Sequence, residues 1–171
     1  MKMLHSLLMM GVAATAFAGP PATGEGLLEK LAQGGMTEVE AGQLAQTKAT
    51  APGVQEFAEM MVKDHSASNE KVRTLAAARN LALPKTPSEA QQDTLKTLHA
   101  KDGAQFDQAY LAAQVKAHEE TVAMLKSEIA SGQDPETKSL ARELLPTVER
   151  HLKEAYRLAG KEEREAELPS G

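Results

Sequence analysis

The chain has no cysteine and no tryptophan, only three phenylalanines and two tyrosines, and no surplus of positive charge. Without cysteine there is no disulfide, no thiolate zinc site, no iron–sulfur cluster, no thiol nucleophile and no lipid attached through an N-terminal cysteine. Nineteen basic residues against 24 acidic ones give a formal charge of −5. That balance argues against a nucleic-acid backbone or an anionic membrane surface as the main partner. No stable membrane insertion is expected either, because the one long apolar run, Leu7 to Phe17, is 11 residues, against about 20 for a spanning helix. What remains is 171 residues, 42% of them hydrophobic, which is enough for one domain with a core. Any metal has to be held by histidine and carboxylate.

Residues 1–18 carry Lys2 and His5, then the apolar run, then Ala16-Phe17-Ala18, the small-x-small pattern at which a signal peptidase cuts. They are expected to be a secretory signal, with a bacterial periplasm as the destination. Residues 19–26, rich in Pro and Gly, read as a flexible lead-in, and 161–171 as a charged tail.

From 27 to 160, Ala, Glu, Lys and Leu dominate and apolar positions recur at three and four, so the domain is expected to be all-α. Four long helices are predicted: Leu27 to Thr50, with a possible break at Gly34-Gly35; Pro52 to Asn80; Ala104 to Ser131; and Asp134 to Ala159. Asp134 is placed as an N-cap before Pro135 at the first helical position, and Ser88-x-x-Gln91 as a capping box opening a short helix that Gly103 closes. Short links make helices one and two, and three and four, antiparallel hairpins. The connector from Leu81 to Gly103 is long enough to cross the whole assembly.

At 100° per residue, His65 falls inside the apolar stripe of Val54, Phe57, Met61 and Val72. His118 falls inside that of Leu111, Val115, Val122 and Leu125, and His151 beside Leu144, Val148 and Ala155. A weak repeat joins them, since Val62, Val115 and Val148 each stand three residues before a histidine. The first helix offers Glu40, between Met36 and Leu44 at four-residue steps. Glu40 lies 11 residues before Ala51 and His65 lies 13 after Pro52, while His118 lies 15 before Gln133 and His151 lies 17 after Asp134. At about 1.5 Å per residue the partners in each hairpin sit within roughly one turn of the same height. One acid and three imidazoles, one from each helix, are therefore expected to converge on a single transition-metal ion such as zinc, copper or iron; no organic cofactor is expected. Each residue also has a simpler role: a lone core histidine is satisfied by one carbonyl or carboxylate, and Thr37-x-x-Glu40 reads as a capping box after the two glycines. Asp64, Asn69, Gln114 and Glu119 are candidate supporting or extra ligands, and Pro146 is expected to disturb the fourth helix one turn before His151.

The segments Gly35 to Gly42 and Val54 to His65, Phe106-Asp107-x-x-Tyr110 with Val115 to Glu119, and Leu145-Pro146-Thr147 followed by His151 resemble an exported bacterial family catalogued as domain of unknown function 4142. The resemblance spans Leu27 to Ala159 and implies a ferritin-like four-helix bundle whose long connector, with its short helix, crosses the bundle. Ferritin-like di-iron sites need Glu-x-x-His on two helices; here valine stands at each such position, which argues against ferroxidase chemistry. The leading expectation is a periplasmic protein holding one metal ion in its core, in metal handling or envelope stress. The alternative is a non-catalytic structural or partner-binding bundle whose histidines only pack.

Overall fold

Helix punctuation written into the sequence sets the limits of each element. The computed structural model describes residues 24–161, and within them the chain is all-helical: α1 (Glu25–Lys48), α2 (Pro52–Ala78), α3 (Glu89–His99), α4 (Gly103–Ser131) and α5 (Pro135–Leu158). The expected signal segment, most of the lead-in and all but the first residue of the tail lie outside the described residues. Helix ends fall within two residues of the predicted ones.

At the start of α3, Ser88 Oγ accepts from the Gln91 amide while Gln91 Oε1 accepts from the Ser88 amide, the reciprocal capping box. At the start of α5, Asp134 Oδ1 accepts from the amides of Glu136 and Thr137, satisfying two of the donors that a helix N-terminus leaves free. α2 ends in a left-handed residue, Asn80 at φ 54°, with Leu81 N donating back to Ala76 O at 2.9 Å, a closure that shields the last carbonyls.

Two features differ from expectation. α1 runs unbroken through Gly34 and Gly35, and the Thr37 hydroxyl donates to Gln33 O one turn back, so Thr37 lies inside the helix and forms no capping box with Glu40. The glycines serve close packing. A Cβ on Gly35 would overlap the Asn69 side chain, and one on Gly42 would come within 3.2 Å of the Ala58 carbonyl. α1 therefore lies on α2 through small residues, among them Gly35, Ala41, Gly42 and Ala45.

Polar clasps fix the order of the helices. Asp107, near the start of α4, accepts from Thr50 N at 3.1 Å, Thr50 Oγ1 at 2.8 Å and Ala51 N at 3.0 Å, joining α4 to the α1–α2 turn. At the other end Arg79, closing α2, pairs with Asp134 at 2.7 Å and Glu136 at 2.8 Å, joining it to α5. The connector therefore runs the full length, with α3 lying on α1 and α4. Lys48 ties its far end by donating to the carbonyls of His99 and Lys101. The hairpins α1–α2 and α4–α5 then face each other, α1 against α4 and α2 against α5.

The apolar interior has two parts. One gathers Phe57, Met61, Phe106, Tyr110 and Ala155; the other gathers Leu28, Val72, Leu125, Leu140 and Leu144. Full burial of a phenylalanine or leucine contributes about 1.5–3 kcal/mol. Along α2, α4 and α5 alike, one histidine falls between the residues of the first part and those of the second. No helix among the described residues is long and apolar enough to cross a membrane.

Candidate metal centre

His65 on α2, His118 on α4 and His151 on α5 meet in that layer. Their ring centroids are 5.5 Å (His65–His118), 5.3 Å (His65–His151) and 5.5 Å (His118–His151) apart. One side-chain nitrogen from each lies within 4.8 Å of the other two. His118 and His151 are buried and His65 is partly so.

Neighbouring groups set which nitrogen each ring offers. His118 Nδ1 donates to the Gln114 carbonyl at 2.9 Å, which leaves its Nε2 as a lone pair, 3.4 Å from His65 Nε2. His151 Nε2 donates to Asp64 Oδ2 at 3.0 Å, and its Nδ1 is buried with no partner. Carbonyl and carboxylate partners of this kind hold metal-binding imidazoles in one tautomer and orientation. Asp64 is held in turn by the Arg150 guanidinium at 2.6 Å.

All three rings resist protonation. Burial, reinforced by the His118 and His151 rings, holds His65 well below the usual imidazole value. Burial and His151 push His118 down to about 4 against the raising effect of the Gln114 carbonyl. Burial lowers His151 as well, against the opposing pull of Asp64. At neutral pH the layer is three neutral nitrogen donors, the form that binds metal.

Glu40 is not among them. Its side chain is half exposed on the outer face of α1, 3.9 Å from His99. The four-residue step from Met36 to Leu44 misread the inward face, because on α1 that face is carried by glycine and alanine, which give a weak hydrophobic signal. Two residues earlier, some 200° around the helix, Glu38 is buried and accepts from Gln114 Nε2 at 2.7 Å. Burial pushes its carboxyl up to about 7, with the Gln114 bond opposing. The sequence carried a hint: Glu38 sits three residues after Gly35 and three before Ala41, on the glycine–alanine face.

The other candidates separate clearly. Asp64 reaches the centre as the partner of His151; Glu119 instead accepts from the Tyr156 hydroxyl. Asn69 is buried against Gly35. Tyr110 OH and Gln114 Oε1 are buried without a partner, a turn or two above His118 on the same helix. α5 continues as a helix through Pro146.

The profile of a family described as a domain of unknown function, DUF4142, matches residues 11–158. The chain belongs to the DUF4142 family. No curated protein matches it. Among solved structures, the Cu(II)-bound form of CopM is 14% identical, with 80% of this chain and 95% of CopM aligned at a TM-score of 0.68. CopM is also matched in Cu(I)-bound and Ag-bound forms. A DUF305 fragment from Deinococcus radiodurans is 14% identical over 82% of this chain and 99% of the fragment, TM-score 0.72. A DUF305 protein from Streptomyces coelicolor is 16% identical over 87% and 100%, TM-score 0.69. At such identities the likeness is one of fold: this DUF4142 chain shares its helical arrangement with CopM and DUF305 proteins.

Proposed function

We propose that this protein binds a single transition-metal ion through His65, His118 and His151 inside a ferritin-like four-helix bundle, and that it handles metal outside the cytoplasm. The observation that carries the reading is the buried, unpartnered Nδ1 of His151 beside two further imidazoles. An unpaired buried nitrogen costs about 1–3 kcal/mol, and an ion in the layer removes that cost. A tetrahedral ion about 2.0–2.1 Å from each nitrogen sets neighbouring nitrogens about 3.3–3.4 Å apart; His65 Nε2 and His118 Nε2 are already 3.4 Å apart.

The ligand set is three imidazoles without Glu40, which suits copper or zinc and admits iron. Metal-bound forms of CopM, which shares the fold, favour copper within that group. Three ligands leave a fourth position for water or a small exogenous ligand. The ferritin-like assignment is supported by the full-length connector between α2 and α4, which ferritin-like bundles use. Export to the periplasm is supported by the signal pattern of residues 1–18.

Metal analysis and thermal melting of protein purified without a histidine tag, in EDTA and with added copper(II) or zinc, test the reading. One equivalent of ion and a raised melting temperature are expected. Absence of both overturns it in favour of a structural bundle, in which the Gln114 carbonyl and Asp64 are simply the partners that packed histidines require.

A further inference from the structure

The three ligands are neutral, so the charge of the bound ion must be met from elsewhere. Asp64, the acid in contact with the centre, is already shared between the Arg150 guanidinium and His151. Of the two buried acids among the described residues, Asp107 is taken up by Thr50 and Ala51, which leaves Glu38, at 7% exposure. Its side-chain partner is the neutral amide of Gln114, and no lysine or arginine among the described residues pairs with it. Residue 114 is the link between the two sites: its side chain holds Glu38 and its backbone carbonyl holds the His118 ring. Residues 114 and 118 are about 6 Å apart along α4, and with a side chain's reach at each the carboxylate lies on the order of 10 Å from the imidazoles.

We propose that Glu38 is the charge-selecting residue of the histidine centre, its buried carboxylate favouring a divalent ion over a monovalent one. The assignment rests on the metal reading above. A carboxylate buried with a single neutral hydrogen bond is costly, and here burial pushes the carboxyl up to about 7; a doubly charged ion nearby offsets that cost twice as strongly as a singly charged one. At about 10 Å and an effective permittivity near 20, each unit of ionic charge is worth roughly tenfold in affinity. Glu38 acts through its field and not as a ligand. Glutamine at 38 keeps the shape and the contact with Gln114 while removing the charge.

The experiment titrates purified protein at pH 8 with Zn²⁺ and, separately, Ag⁺ in chloride-free buffer, for the wild type, Glu38→Gln and the exposed control Glu40→Gln. Glu38→Gln is expected to weaken Zn²⁺ on the order of tenfold more than it weakens Ag⁺, and Glu40→Gln to leave the ratio of the two affinities within about twofold. Equal loss for both ions, or no loss, overturns the role of Glu38 and leaves the metal site standing. If neither ion binds the wild type, the metal reading falls and the role of Glu38 with it. Should Glu38→Gln fail to fold, Glu38→Met removes the charge without adding an amide and makes the same comparison.

Discussion

Asp64 Oδ2 lies 3.0 Å from Nε2 of His151 and accepts a hydrogen bond from it, so an acid on α2 decides which nitrogen of a ring on α5 is free. Arg150, the residue before that histidine, grips the same oxygen at 2.6 Å. The outward nitrogen is thereby spent on the carboxylate, and the inward one is left bare.

Asp64→Asn keeps the shape but weakens the acceptor. Loss of such a partner typically costs 10–100-fold in metal affinity. We expect a loss of about tenfold or more for copper(II) or zinc, read by competition with a chelator of known affinity. Melting in EDTA should change little, because Asp64 is partly exposed.

His65→Leu exchanges a polar ring for an apolar side chain of similar bulk where the two apolar parts of the core meet. Metal binding should be lost, and with it the rise in melting temperature on adding metal. In EDTA the variant should melt no lower than the wild type, since the exchange removes a buried polar group and leaves no cavity. Paired melting curves with and without metal distinguish these outcomes.

Gly35 and Gly26 make opposite predictions for the same substitution. Gly35→Ala drives a methyl group into Asn69 and should destabilise by about 1–3 kcal/mol, overpacking outweighing the better helix propensity of alanine. Gly26→Ala meets nothing within 4 Å and should stabilise by about 0.5 kcal/mol. Urea unfolding of both variants measures the contrast.

In metal-free protein the histidines and Glu38 pull stability in opposite directions with pH. Histidines lowered from the usual 6.5 bind protons more readily when unfolded, so they cost stability as pH falls from 6.5 towards about 4, the value for His118. Glu38, raised from 4.5 to about 7, holds its proton more tightly when folded; it contributes stability below 4.5 that is lost as pH rises to about 7. Between pH 6.5 and 4.5 it offsets part of the histidine loss. Glu38→Gln should therefore lose stability more steeply on acidification, by about one proton equivalent, near 1.4 kcal/mol per pH unit, measured by urea unfolding in EDTA at several pH values.

Much of this was legible residue by residue. Ser88 with Gln91, and Asp134 with Pro135, are local signals whose hydrogen bonds form within three residues, so they mark helix starts whatever the tertiary setting. The three histidines stood out because each interrupts a stripe of large apolar residues, which fixes a direction. Glu38 did not, because its neighbours on the inward face are glycine and alanine, and the larger Met36 and Leu44 drew the stripe towards Glu40. The course of the connector was open to the bottom-up reading, since mid-helix histidines converge either way. It is settled by contacts far apart in sequence, Thr50 with Asp107 and Arg79 with Asp134.

The three histidines are divided unevenly: His65 belongs to the first hairpin, while His118 and His151 belong to the second. An ion held by all three would be a further rivet between halves joined by one long strap, by side-chain packing and by the polar clasps of Asp107 and Arg79. Chelation would withdraw the rivet without touching either half, so amide exchange should quicken first along the seam where α2 meets α5, while the α1–α2 and α4–α5 pairs stay protected.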